Sequence, residues 1–140
     1  MKIHYYQPQD YEQLIDLYKQ SDQFKFDEVT DSRENITRKI ERDSESILLA
    51  RENEQLVGSV SIIEDGRIAL LFRLVTKASE QKNDEILKVL LQEAESILKK
   101  RGYTEVHNTA PLNDMKALTE RERIGFQKGD PYMWYWRRIT

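Results

Sequence analysis

His4 and His107 are the two histidines of the sequence, and histidine is the side chain whose ordinary pKa allows proton exchange near neutrality. His107 sits in the run Tyr103-Thr104-Glu105-Val106-His107-Asn108-Thr109, so it is a candidate proton acceptor. A half-buried strand histidine bonded to a neighbour is the plainer alternative. His4 has no partner identifiable in sequence, and two distant histidines without cysteine offer no metal-ligand spacing. The sequence has no cysteine, which excludes disulfides, thiolate metal sites and a cysteine nucleophile. Phe24 and Phe26 stand among charged residues in one loop, as pocket walls or as packing beneath it. The run Tyr132-Met133-Trp134-Tyr135-Trp136 suggests base stacking, but its alternation suits a strand between two helix layers, and core packing is favoured. Arg137-Arg138 is too short for a phosphate track. Glu120-Arg121-Glu122-Arg123 reads as a solvated helix face in which Arg121 is singled out by position.

The elements that must position these residues fit one domain of 140 residues. Lys and Arg number 22 against 25 Asp and Glu, a net charge of -3, which argues against a broad basic face for nucleic acid. No apolar run approaches the roughly 20 residues of a membrane helix. The first residues lack the apolar stretch of a secretory signal, so the expectation is a soluble, cytoplasmic protein.

Residues 2 to 6 read as a strand. Asp10 with Gln13, and Asp31 with Glu34, resemble capping boxes opening two helices, the second ending near Arg42. Residues 47 to 51, 56 to 63 and 68 to 75 read as a β-meander turned at Asn53-Glu54 and Asp65-Gly66, with Gly58 a candidate bulge. The longest helix is expected from Asn83 to Arg101, carrying one apolar stripe from Ile86 to Leu98. Asp84 and Glu85 would start it and Gly102 would cap its end. Residues 103 to 109 read as a strand, Asn113 to Ile124 as a helix capped by Asn113, and 132 to 139 as a final strand. The order is β-α-α-β-β-β-α-β-α-β, an α/β (α+β) fold with a mixed sheet and helices packed on it.

That order, together with Phe72-Arg73-Leu74-Val75 and the segment Asn113 to Gly125-Phe126, resembles the GNAT superfamily of N-acetyltransferases. The resemblance covers nearly the whole chain and is most specific from Arg67 to Phe126. It implies a mostly antiparallel sheet with helices on both faces, opened between the strand holding Leu74 and Val75 and the strand holding His107 and Asn108. In such proteins the pantetheine arm of acetyl-CoA fills that opening like an added strand. By the same resemblance, Leu74, Val75, Lys77, Gln81, Lys82, Asn83 and Asn113 are the cofactor-binding candidates. Phe24, Phe26 and Asn108 are the substrate-binding candidates, and His107 and Arg121 the catalytic ones. The family's diphosphate loop carries glycines, whereas Lys77-Ala78-Ser79-Glu80-Gln81-Lys82-Asn83-Asp84-Glu85 has none. Asp84 and Glu85 on the helix start would repel a diphosphate, partly offset by Lys77 and Lys82. Arg121 occupies the place of the family's frequent tyrosine acid; a guanidinium does not usefully donate a proton but stabilises anions by charge.

The function implied is transfer of an acetyl group from acetyl-CoA to a primary amine of a small molecule or peptide by direct attack. No metal is implied, and no nucleic-acid or membrane partner. A homodimer is a further expectation of the resemblance. The alternative is a GNAT-fold binding or regulatory module without catalysis.

Overall fold

The structure, a computed structural model, describes residues 1–77 and 80–140, the side chains of Glu80 and Gln81 excepted. Strand β1 (Lys2–Tyr5) leads through a 3₁₀ turn (Pro8–Asp10) into α1 (Tyr11–Gln20) and α2 (Arg33–Arg42). The meander follows as β2 (Ile47–Glu52), β3 (Gln55–Glu64) and β4 (Ala69–Thr76), then α3 (Glu80–Lys100) and α4 (Met115–Arg123). The four strands lie antiparallel in the order β1-β2-β3-β4.

The sheet is covered on both faces because its strands are apolar on both. Leu48 and Ala50 of β2 join Val60 and Ile62 of β3 against α3, whose Ile86, Leu87, Leu90, Leu91, Ala94 and Leu98 are buried. The alternate residues Ile47 and Leu49 pack on the other face with Leu14, Ile15, Leu17 and Tyr18 of α1 and Ile36 of α2. Period 2 in the strands and period 3.6 in the helices therefore build a three-layer core. A side chain such as Leu90, with no exposed surface, contributes about 1.5–3 kcal/mol.

Gly58 is where α3 comes closest to the sheet. A Cβ there would stand 2.7 Å from Ile86 Cγ2. The register between β2 and β3 shifts beside it, since Ala50 faces Gly58 while Arg51 faces Leu56, so the expected bulge is present. At the end of α3, Tyr103 N–H donates to Leu98 O (3.0 Å) and Gly102 N–H to Lys99 O (3.1 Å), with Gly102 at φ 93°. This is the left-handed cap expected at Gly102.

Several boundaries differ from the sequence reading. Asp10 stands at the N-cap position of α1 but makes no side-chain cap bond to it, forming a capping box with Gln7 on the 3₁₀ turn instead, and Asp31 does not cap α2. Ser32 caps α2, accepting from Asn35 N–H (3.1 Å), and Asp10 ends the 3₁₀ turn, accepting from Gln7 N–H (2.8 Å). Both carboxylates are buried and instead committed to half-buried arginines. Asp10 pairs with Arg51 (2.7 Å), and Asp31 takes Arg73 through two bonds of 2.8 and 3.1 Å. His4, which had no partner in sequence, accepts at Nε2 from Arg51 Nε (2.9 Å) and lies 3.0 Å from Tyr5 O at Nδ1.

The long helix starts at Glu80, so Asp84 and Glu85 fall beyond its first turn rather than on its end. The strand expected at 103–109 is reduced to a single parallel bridge, His107 to Leu70. The strand expected at 132–139 is not formed: the segment has no regular structure and pairs with no strand among the described residues, and Trp134 and Trp136 are 74 % and 77 % exposed rather than in the core. Alternation specifies a strand's two faces, but it does not name the edge on which the strand will pair.

Candidate functional site

The site begins with a defect in β4. Ser59 pairs with Val75 and Ser61 with Phe72, so β4 carries one residue more than β3 across this stretch. Arg73 absorbs it at φ 54°, a left-handed conformation that costs a non-glycine residue about 1–3 kcal/mol. The Asp31 carboxylate holds the guanidinium, which also lies over the rings of Phe24 (4.2 Å) and Phe72 (4.7 Å). Phe24 in turn meets Tyr18 edge-on at 5.5 Å, and Phe26 lies under Lys19. Both phenylalanines thus pack partly buried against the core of α1 and α2, and Phe24 also braces Arg73.

Beyond the bulge, the outer edge of β4 loses its neighbour. Leu71 N–H donates to His107 O and His107 N–H to Ala69 O, each at 2.8 Å. At the next position Asn108 presents its side chain instead of its backbone, with Nδ2 donating to Leu71 O (2.6 Å). The ladder stops there and the two segments part. Lys77 N–H donates inward to Val57 O (2.9 Å), so strand alternation aims the backbone groups of Leu74 and Thr76 outward, into the opening.

Four elements wall this opening: the end of α1 with residues 21–23, the end of β4, the second turn of α3, and the start of α4. Together they enclose a cleft of about 180 Å³. Leu74, Val75 and Asn83, three of the cofactor-binding candidates, line it. Thr76 Oγ donates to Asn83 Oδ1 (2.8 Å), fastening β4 to α3. Gln23, Thr76, Asp114, Lys116 and Glu120 also line it and were missed. Asp114, not Asn113, caps α4, its carboxylate accepting from Ala117 N–H (3.0 Å), while Asn113 is exposed and outside the lining.

A buried polar network closes the back of the cleft. Arg121 is 8 % exposed and uses all three guanidinium nitrogens. Nε bonds Asn108 Oδ1, Nη1 bonds Glu120 Oε1 (2.9 Å) and Nη2 bonds Gln23 Oε1 (2.7 Å). Gln23 Nε2 also donates to Glu120 Oε1 (3.3 Å). Burial lowers the Arg121 pKa from its ordinary value, opposed by Glu120, yet a guanidinium remains charged. Arg121 therefore ties the 21–23 loop and Asn108 to α4. Its signal was in the sequence, because Ala117, Glu120, Arg121 and Ile124 share one helix face. That face is inward, so the run read as solvated is buried at Glu120 and Arg121.

The charges around the opening are arranged differently from the sequence expectation. Asp84 receives Arg123 through bonds of 2.6 and 3.1 Å, and those bonds hold its carboxyl below the usual range. It joins α3 to α4 instead of guarding the start of α3. Lys82 pairs with Glu52 (3.2 Å) on the surface, and Lys77 is exposed. The Gln81 side chain lies outside the described residues. His107 is exposed, its Nε2 3.4 Å from Glu105 Oε1, and does not line the cleft. Among the described residues no cluster of three His, Asp or Glu side chains is set to hold a metal, and no helix is long and apolar enough to cross a membrane.

A second hollow of about 140 Å³ lies near the bulge, lined by Asp31, Asn35 and Lys39 with Tyr18, Phe72 and Arg73. Lys39 donates to Ile62 O, and burial lowers its pKa from the ordinary lysine value.

No protein-family model and no curated protein matches this sequence. Solved structures do. The PaiA N-acetyltransferase of Thermoplasma acidophilum, crystallised with coenzyme A, superposes at a TM-score of 0.78 with 24 % identity, over 94 % of this chain and 92 % of its own. The aminoglycoside 6'-N-acetyltransferase AAC(6')-Ig of Acinetobacter haemolyticus gives 0.76 with 16 % identity over 100 % of both chains. A GNAT-family acetyltransferase of Streptococcus pneumoniae gives 0.65 with 21 % identity, over 89 % of this chain and 83 % of its own. On these superpositions the chain has the fold of the GNAT N-acetyltransferases.

Proposed function

We propose that the protein is an acyl-CoA-dependent N-acyltransferase that moves an acetyl group from acetyl-CoA to a primary amine. The observation that carries this reading is the opening beside β4, where the 103–109 segment leaves the strand after one bridge and Leu74 turns its backbone edge toward a cleft that ends at the start of α3. An extended amide-bearing arm satisfies such an edge as an added strand does. The pantetheine arm of coenzyme A has that form. The residues present fit it. Asn83 and Thr76 fix the far end of the edge, Lys116 lines the cleft, Lys77 directly follows β4 and Lys82 lies in the first turn of α3. The segment from Lys77 to Asn83, Gln81 included, is proposed to meet the diphosphate. Asp84 is already neutralised by Arg123, which removes the repulsion expected at this place.

Acetyl-CoA supplies a thioester whose carbonyl carbon an amine attacks. The C–N bond forms, the C–S bond breaks and the sulfur leaves as thiolate, while the amine gives up its proton. What this chain contributes is position. The bulge at Arg73 sets where the outward backbone groups begin, and Arg121 holds the cleft's back wall to β4 through Asn108. Proximity and alignment of this kind account for much of the rate in transfers between two bound reactants. His107 is the proposed base, acting from the exposed segment beside the opening. The acceptor is proposed to enter on the Arg73 side, where Phe24, Phe26 and the second hollow lie.

The fold shared with an aminoglycoside acetyltransferase, and with a neighbour crystallised with coenzyme A, supports a small-molecule amine as acceptor. Calorimetric titration with acetyl-CoA tests the reading; a folded protein that shows no binding at millimolar ligand overturns it. Arg121, locked in place of a mobile acid, favours a second reading, a GNAT-fold binding module without turnover. Release of free CoA thiol that depends on an added amine, across a panel of amines, dismisses that alternative.

A further inference from the structure

Two spaces flank the bulge in β4. Leu74 and Val75 line the cleft proposed for the thioester arm. Phe72 and Arg73, the residues just before them, line the hollow of about 140 Å³ between α2 and the sheet. The two linings are adjacent on the strand at Arg73 and Leu74, so a molecule seated in the hollow can present an amine at the bulge.

The hollow is walled largely by hydrocarbon, from Ile36 of α2, Ile47 of β2, Ile63 of β3 and Phe72 of β4. Its charged residues are Asp31, Arg73 and Lys39. Asp31 and Arg73 are joined by bonds of 2.8 and 3.1 Å and cancel each other. Lys39 is left over. An ammonium has three donors, and the one bond Lys39 makes among the described residues goes to a backbone carbonyl, Ile62 O. Asp43, the carboxylate that attracts it, is taken by Arg101 through bonds of 2.7 and 3.1 Å. Lys39 is half-buried, and burial lowers its pKa from the ordinary lysine value. A cation so placed has lost part of its hydration without gaining a counter-charge, and a small anion in the hollow supplies that charge.

We infer that the acceptor is a small amino acid whose carboxylate binds the Lys39 ammonium while its chain lies along the isoleucine wall and its amine reaches the bulge. For the role of the amine this rests on the acyl-transfer reading; the carboxylate site rests on the hollow alone. One ammonium balances one negative charge, which selects a carboxylate over a doubly charged phosphate. The volume is the share of about five water molecules at ~30 Å³ each, room for a carboxylate and a short aliphatic chain. An acceptor with a second ammonium in place of the carboxylate meets repulsion from Lys39, so diamines are rejected. A hydrogen bond to a charged group is worth roughly ten- to hundred-fold in affinity.

Calorimetric titration of the full chain, with and without coenzyme A, reads the carboxylate without any need for turnover. The probes are β-alanine, 4-aminobutanoate and 6-aminohexanoate, each compared with its carboxamide and with the diamine of equal length. The acid of fitting length is expected to bind roughly ten- to hundred-fold more tightly than its amide, and the diamine most weakly. Lys39→Met, checked for folding by circular dichroism, is expected to abolish that preference. In amine-dependent release of CoA thiol the same variant should raise KM for the acid while leaving kcat, and KM for the amide, near the wild-type values. Equal binding of acid and amide by the wild type, or no binding of either at millimolar ligand, overturns the inference. So does a preference for the acid that survives in the folded variant. Should Lys39→Met fail to fold, the wild-type comparison of acid with amide decides alone. Acid-selective binding that is lost in the variant, in a protein that does not bind acetyl-CoA, would sustain the carboxylate site and overturn the acyl-transfer reading. Turnover of acids and amides at equal efficiency would do the reverse.

Discussion

The two edges of β4 are held by different means. Toward β3 the strand is joined by an antiparallel ladder from Ala69 to Thr76, interrupted only at the Arg73 bulge. Toward the 103–109 segment it has one bridge, after which Asn108 and Arg121 replace backbone by side chain. A ladder closes a sheet, whereas a side-chain network can hold two segments at a fixed distance and leave a gap between them. The cleft exists because the second edge is built the second way. Its stability therefore rests on a few buried polar groups, each of which becomes a liability if its partner is removed.

Arg121→Met should break this contrast most strongly. It leaves the Glu120 carboxylate buried without its cation and strips Gln23 and Asn108 of a donor. Removing one partner of a buried pair costs about 3–5 kcal/mol, and the loss of three bonds at once places this variant toward the upper end. Urea titration should show it, and acetyl-CoA affinity should fall with it where the variant is folded. Asp31→Asn is the matching change on the bulge. Arg73 keeps its stacking on Phe24 and Phe72, so the expected loss is at the lower end of that range, about 3 kcal/mol. If Asp31→Asn proved the costlier of the two, the bulge rather than the network would be the main support of the cleft.

The ladder side is sharpened by Gly58→Ala. The new methyl would stand 2.7 Å from Ile86 Cγ2 and 3.1 Å from Leu90 Cδ1, so α3 must shift away from the sheet. Overpacking of this kind costs about 1–3 kcal/mol, read as a lower denaturation midpoint with an unchanged slope. Because Leu87 and Asn83 of α3 line the cleft, the same variant is expected to weaken acetyl-CoA binding more than a surface change would.

Sequence patterns carried the ladder side far better than the gap side. The meander, its Asn53-Glu54 and Asp65-Gly66 turns and the long apolar helix follow from local periodicity and turn chemistry, and all are present. Asp10 and Asp31 were misread because a carboxylate before a helix looks like a cap, while its real partner, Arg51 or Arg73, lies about 40 residues away. Local spacing cannot express such a pair. Leu74, Val75 and Asn83 came from the family resemblance, and the structure places all three at the opening. Gln23 and Glu120 were not, because a polar residue on a loop or a charged helix reads as solvated until its distant partner is known. The last two strands fail for a related reason. Their residues alternate as strands should, but pairing is a property of two edges, and local alternation does not name the second edge.

The smallest expected effect separates two adjacent residues at the mouth of the cleft. Asn113 was the cap expected from the sequence, and Asp114 is the cap in the structure, accepting from Ala117 N–H at 3.0 Å. Asp114→Ala should cost about 1 kcal/mol, the usual loss when a helix gives up its capping oxygen. Asn113→Ala should cost only a few tenths, within the range of exposed substitutions. The pair also tests the gap side itself. The start of α4 brings Asp114, Lys116 and Ala117 to the cleft, so fraying its first turn should weaken acetyl-CoA binding while leaving the β2-β3-β4 ladder intact. Amide exchange reads both at once: faster at Ala117 and Leu118 in Asp114→Ala, unchanged in β3. Equal effects from the two variants would return the cap to Asn113 and shift the start of α4, and with it the wall of the cleft, by one residue.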